Sequence, residues 1–425
     1  MTIRPLRFAA LLAVAAFLAG NARADQHPNT ARGFDIGKPY QMNGIDNINL
    51  FNGNLTVTLP VGQRYHVNGN LSYGLTLVYS GNVWDTVVDH DTRFCNGHNE
   101  PTTKSYPNRR SNAGMGWVLS LGRLFPLNQF PVQESPTWNY ETPDGGLHAF
   151  ATGLHSSNDP CLTESIQCYT RDGSYIRMTK IVSQRKVEFP DGTSQIFEEM
   201  GDNPDGTWPV SPDSGKWRLT AINDRFGNSV AIAYSSKPAT ITDPNYPEIW
   251  TITDGTRTEK VYFKATGTSF YETAFEKAVL STFNTTSGEW KAGYDYKTLP
   301  LGGIDHSQCN DQPGPPVTVP LLTSLTLPPV DSVSQVYSMV ATDGVTPNYY
   351  LNNSTNALNG HLKGLQLPTK GWIEWDSIRY SYYGGTEQRF NRSIVVTTRR
   401  TVSADRNTTA TWTYTRAPSA NLTCF

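Results

Sequence analysis

Tyr140-Glu-Thr-Pro-Asp-Gly-Gly146, Tyr169-Thr-Arg-Asp-Gly-Ser-Tyr175 and Val187-Glu-Phe-Pro-Asp-Gly-Thr193 write one short phrase three times in close succession. Each copy places an aromatic or β-branched residue before a spacer, an Asp-Gly pair at the corner, and a return toward another large side chain. Proline presets φ for the first turn position, aspartate closes its own turn through the carboxylate, and glycine takes the left-handed position that a side chain resists. One such corner occurs in any β protein, whereas three in a row make a repeat. Asp144, Gly145, Asp172, Gly173, Asp191 and Gly192 are therefore expected to build hairpin turns.

The same phrase continues downstream. Trp217 to Asp224 reads as a strand, Arg225-Phe226-Gly227-Asn228 as a turn, and Val230, Ile232 and Tyr234 as the returning strand. Trp250 to Asp254-Gly255 and on to Val261-Tyr262-Phe263 is a further copy, which adds Gly227, Asp254 and Gly255 to the turn formers. Upstream, Leu55, Val57 and Leu59 alternate with threonines, and Leu71, Tyr73, Leu75, Leu77 and Tyr79 alternate in the same way, so each run is a strand with one buried face. Six more runs between Leu321 and Thr415 satisfy the same criteria. Tyr271 to Phe283 suits a helix through its Ala, Glu and Lys residues and a strand through its aromatic and β-branched ones, and composition leaves both open. The expected fold class is all-β, with repeated antiparallel hairpins forming a curved or spiral sheet.

Residues 1–24 read as an export signal, with Arg4 and Arg7 before an apolar run from Phe8 to Leu18 and Ala22-Arg23-Ala24 as a small-x-small cleavage site. The apolar run is too short for a bilayer span and no later run is longer, so the mature chain is expected to be secreted, periplasmic or on the outer cell surface. Residues 25–130 form an N-terminal β region with a long irregular loop at 83–111, 131–300 the Asp-Gly hairpins, and 301–425 further strands. Charged residues are 17% of the chain and the net charge is −2, which recommends neither nucleic acid nor an anionic membrane as partner. Hydrophobic residues, at 37%, suit sheets that are wet on one face or enclose a hollow. Of five cysteines, Cys161 and Cys168 are close enough to close a small loop in an oxidising compartment, while Cys95, Cys309 and Cys424 stay unassigned.

Asn52-Gly53-Asn54-Leu55, Leu71-Ser72-Tyr73, Asn112-Ala113-Gly114-Met115-Gly116-Trp117, the Pro-Asp-Gly corners, Asp224-Arg225-Phe226-Gly227-Asn228 and Leu367-Pro368-Thr369-Lys370-Gly371-Trp372, in that order, resemble the N-terminal part of an Rhs (YD-repeat) protein. The resemblance covers nearly all of the mature chain and rests on the order of the motifs. It implies a spiral β shell, a non-catalytic role, and a core or toxin polypeptide as partner. The core rich in Asp-Pro-x-Gly-Leu patterns that such proteins carry is not found before Phe425, so neither its self-cleaving element nor a toxin is carried over.

Asp89-His90-Asp91 with Cys95, His98 and Glu100 is the one ligand-like cluster, but it falls in the expected loop with no second cluster to complete a site, so no metal and no other cofactor is expected. No His-Glu-x-x-His, Gly-x-Ser-x-Gly or phosphate-binding loop is present. Ten Trp and 21 Tyr make a surface glycan the alternative partner, with Trp138, Trp208 and Trp290 the candidate stacking rings because their sequence neighbours are polar.

Overall fold

The computed structural model describes residues 40–42, 44–95, 98–108, 110–126, 137–153, 160–199, 217–235, 246–268, 271, 273–282, 287–300, 316–351, 358–383 and 390–415. The export signal, Trp208, Cys309 and Cys424 lie outside them, as do the side chains of 85–105. Every regular element among the described residues is a strand.

A first, five-stranded sheet holds β1 (Tyr40–Met42), β2 (Asp46–Asn49), β3 (Leu55–Asn68), β4 (Leu71–Ser80) and β7 (Trp117–Ser120) in that order. Between β4 and β7, β5 (Trp84–Cys95) and β6 (His98–Pro107) pair only with each other. The stretch expected to be an irregular loop at 83–111 is thus a hairpin, because Thr86-Val87-Val88 and Thr102-Thr103 supply the β-branched residues a ladder favours. The ladder breaks between Val88 and Thr92, where Asp89-His90-Asp91 fall. Upstream of β3, β1 pairs with β2 and β2 with β3.

The second sheet runs in sequence order. It begins with β8 (Arg123–Phe125), β9 (Asn139–Glu141), β10 (Leu147–Ala151), β11 (Gln167–Thr170), β12 (Arg177–Ile181), β13 (Gln184–Glu188) and β14 (Ser194–Glu199). It continues through β15 (Trp217–Asn223), β16 (Ser229–Tyr234), β17 (Glu248–Thr253), β18 (Thr258–Ala265), β19 (Thr273–Ser281) and β20 (Ser287–Leu299). It ends with β21 (Val317–Val330), β22 (Val333–Ser338), β23 (Gly364–Gln366), β24 (Trp372–Tyr383), β25 (Phe390–Val402) and β26 (Thr409–Thr413). Each strand pairs antiparallel with the next, and among the described residues no ladder joins β26 back to β8, so these 19 strands form one long sheet that is not closed into a barrel. Within the segment from Tyr271 to Phe283, whose composition left helix and strand open, Thr273–Ser281 form strand β19.

Because every strand reverses the one before it, alternate turns fall on alternate rims. The turns at 142–146, 171–176, 189–193, 224–228, 254–257, 331–332, 367–371 and 403–408 therefore share one rim, and nearly all are tight. Every Asp-Gly corner singled out in the sequence lies there, about 10 Å from the next copy, which is twice the strand spacing. The opposite rim carries the longer connections, with the two-residue β12–β13 turn at 182–183 as an exception.

The two sheets cross. Gly53 O accepts a hydrogen bond from Val396 N on β25, Tyr65 Oη donates to Ser281 O at the end of β19, and Gly69 sits against Asp224 and Phe226 at the β15–β16 turn. From Gly53 to Gly69 is roughly 50 Å of extended chain, and from β25 to β16 is roughly 43 Å across the sheet, so β3 lies nearly at right angles to the strands it covers. Leu55, Val57, Leu59 and Val61 thereby share one core with Ile252, Val261, Leu280 and Leu325.

At the β25 end a buried ion pair fastens the two sheets. Asp46 accepts from Arg399 Nε at 2.6 Å, from Arg399 Nη2 at 2.8 Å and from Trp375 Nε1 at 2.9 Å. Both charges are out of water, so the three charge-assisted bonds offset a desolvation cost of several kcal/mol.

Candidate functional site

The turn aspartates are engaged by their own turns. Asp191 Oδ1 accepts from Thr193 N and Oγ1 at 2.8 and 2.7 Å; Asp224 Oδ1 accepts from Phe226 N and Asn228 N at 2.8 and 3.0 Å; Asp254 Oδ1 accepts from Thr256 N and Arg257 N at 2.9 and 2.8 Å. Asp144 receives Gly146 N and Asp172 receives Ser174 N in the same way. Gly145, Gly173, Gly192, Gly227 and Gly255 all have φ between 83° and 88°. Burial raises the Asp224 and Asp254 carboxyls, but the Asn228 side-chain amide with the backbone bonds at Asp224, and the backbone bonds with Arg257 at Asp254, outweigh it and hold both below their ordinary range. Spaced along a rim, these groups do not converge on a common point. Among the described residues no three His, Cys, Asp or Glu side chains come together as a metal site.

Cys161 and Cys168 are joined by a disulfide. Trp138 and Trp290, expected as exposed stacking rings, are instead 1% and 8% exposed. For Trp290 the polar neighbours Glu289 and Lys291 mean the opposite of what was inferred, since adjacent strand residues point to opposite faces and their exposure puts the ring inward.

A cleft opens on the inner face between β8 and β15–β17. Ser120 to Pro126 form one wall and Trp217, Arg218, Leu219, Tyr234, Glu248 and Trp250 the other. The chain passes close beneath: Gln195 Nε2 donates to Leu121 O at 2.8 Å and Tyr140 Oη donates to Gln195 Oε1 at 3.0 Å. A Cβ at Gly122 would lie 2.5 Å from Gln195 Oε1, so only glycine permits the approach. Inside the cleft, Arg218 Nη1 donates to Glu248 Oε1 at 2.7 Å and Trp250 Nε1 donates to the same oxygen at 2.5 Å. The Arg218 guanidinium lies 4.8 Å from the Tyr234 ring.

Trp217 also belongs to a second group. Arg185, 2% exposed, places its guanidinium carbon 4.8 Å from the Trp138 ring and 5.2 Å from the Trp217 ring, and the two indoles meet edge to face at 5.3 Å. Arg185 Nη2 donates to Thr163 O at 2.7 Å, whereas Arg185 Nε and Trp138 Nε1 are both buried with no acceptor. Burial lowers the guanidinium pKa, and the charge on Glu199 offsets part of that. Stacking on two indoles returns about 1–2 kcal/mol each, against several kcal/mol for burying an unpaired cation. The group is short of one negative acceptor.

Sequence reasoning passed over Arg185. The signal was present, because in Gln184-Arg185-Lys186-Val187-Glu188 the inward phase set by Val187 also contains Arg185. Trp217 was read only as part of a strand.

No protein-family model matches the sequence, and no curated protein matches it. Among solved structures the chain is similar to the crystal structure of TcdB2-TccC3-TEV at 10% identity and a TM-score of 0.36, over 88% of this chain and 20% of that one. Similarity to TcdB2-TccC3-Cdc42 is 10% with a TM-score of 0.29, over 73% of this chain and 19% of the other, and to TcdB2-TccC3 it is 9% with 0.31, over 88% and 21%. The chain spans about a fifth of each. Values this low carry no argument, and the fold stands on the strand pairing described above.

Proposed function

We infer that this chain is a non-catalytic β scaffold of the Rhs (YD-repeat) kind, exported from the cell, which presents or helps to enclose another polypeptide. The observation that carries the reading is the asymmetry of the long sheet's ends. At one end β8 is covered, with Leu124 and Phe125 buried. At the other, all five residues of β26 are exposed and its outer edge pairs with no described strand. Thr409-Ala-Thr-Trp-Thr413 contains no charge and no proline, the usual devices against edge pairing, so it is suited to receive a further strand. The motif order in the sequence supports the family, and the disulfide supports an oxidising compartment.

The test is co-expression with the polypeptide encoded beside this chain. The expected result is a stable complex in which β26 is protected from hydrogen exchange and the partner from protease. A neighbour product that stays free, together with turnover of a hydrolase substrate panel by the purified chain, would overturn the reading. The glycan alternative loses two of its three rings, because Trp138 and Trp290 offer no exposed face.

A further inference from the structure

We propose that Arg185 and Trp138 form a carboxylate-binding site on the inner face of the long sheet, beside the cleft with which they share Trp217. Two N–H donors, Arg185 Nε and Trp138 Nε1, are buried in one group of side chains without acceptors, and one of them is cationic. Arg185 is fixed in place by the Thr163 carbonyl and two indole rings, so its guanidinium cannot swing out to water without losing all three contacts. Thr163 is held in turn, because it lies in the loop closed by the Cys161–Cys168 disulfide and its carbonyl also receives Lys180 Nζ. Neutral acceptors would satisfy the hydrogens but leave the charge uncompensated. A carboxylate supplies both what the group lacks, acceptor oxygens for the buried N–H groups and a negative charge for Arg185. The site stands independently of the scaffold reading, although a carboxylate on an adjoining polypeptide would serve it.

The probe is sodium acetate, titrated at constant ionic strength against the intrinsic tryptophan fluorescence of the full chain, with acetamide as the neutral control. The expected result is a saturable change with acetate alone. That change should disappear in Arg185→Met and persist in Arg177→Met, which removes an exposed arginine from the neighbouring strand. Trp138→Phe keeps an aromatic ring but deletes the N–H, and should weaken acetate about fivefold, the loss of one hydrogen bond; this arm decides the matter should Arg185→Met not fold. Tighter binding of acetyl-Ala-Asp-Ala-amide than of acetate would assign the site to polypeptide carboxylates, and equal binding to small acids. An equal response to acetamide, an acetate response that survives both site variants, or no response overturns the proposal. So does acetate binding seen only in Glu199→Gln, because Glu199 would then be filling the site itself.

Discussion

His148 Nδ1 lies 2.6 Å from Asp172 Oδ2, and the other Asp172 oxygen receives Ser174 N and Oγ. Burial raises the Asp172 carboxyl, but the hydrogen bonds from His148 and Ser174 outweigh it and hold the group at about 2, against an ordinary 3.8. Its contribution is therefore full above pH ~4 and disappears as pH falls toward 2, worth about 2 kcal/mol at most. His361 titrates in a separate window. Fully buried, it is pushed down to about 4 from 6.5, so stability is complete above pH ~6.5 and falls as the pH drops toward 4 while the unfolded chain takes up the proton. Urea melts from pH 7 to 2 should show two decrements. Asp172→Asn should shrink the lower one, which Asp172 shares with the other depressed carboxyls such as Asp224 and Asp254, and His361→Gln should remove the upper; a single decrement unchanged by either variant contradicts the assignment. Glycine substitutions separate backbone strain from crowding. Gly227 has φ +88° and nothing within 4 Å of an added Cβ, so Gly227→Ala should cost about 1 kcal/mol from conformation alone. A cost near zero by chemical denaturation would remove the left-handed turn from the account.

At the level of elements, the β10–β11 connection is closed by the Cys161–Cys168 bridge and capped by Thr137 Oγ1, which accepts from Cys161 N at 2.8 Å. A loop this short restricts the unfolded chain by about 2–3 kcal/mol. Reduction, or Cys161→Ala with Cys168→Ala, should lower the free energy of unfolding by that amount, and an unchanged free energy would make the bridge dispensable. Turn chemistry is local, which is why the hairpins were legible: proline, aspartate and glycine set three dihedrals without reference to the rest of the molecule. The full extent of β3 was not, since Pro60 and Gly62 interrupt its alternation, yet Pro60 still pairs with Thr76. Nor were Trp138 and Arg185 legible as a group, because the spacing that unites them belongs to the sheet and not to the chain.

At the scale of the whole molecule, the crossing of two sheets is what the sequence left unread. The alternation at Leu55 to Leu59 states that one face is buried but not what buries it. The answer involves Leu280, Leu325 and Val396, hundreds of residues away. The Asp46–Arg399 pair is the sharpest point of that union. Asp46→Ala should destabilise by about 3–5 kcal/mol, since it strands Arg399 in the core, and Asp46→Leu with Arg399→Met should recover much of the loss. A double variant no better than Asp46→Ala would mean that the pair fixes geometry as well as charge.

The pairing of Asp46 with Arg399 spans 353 positions in the chain. A polypeptide emerging from the ribosome or a translocation channel offers its first strands long before their binding surface exists. Until β15 to β19 arrive, β3 holds an apolar face with nothing to rest on, and Asp46 waits longer still, for β25; contacts of such high order close slowly. Refolding should therefore lag behind hairpin formation, and a holdase that shields the early strands should raise the yield more than one acting late.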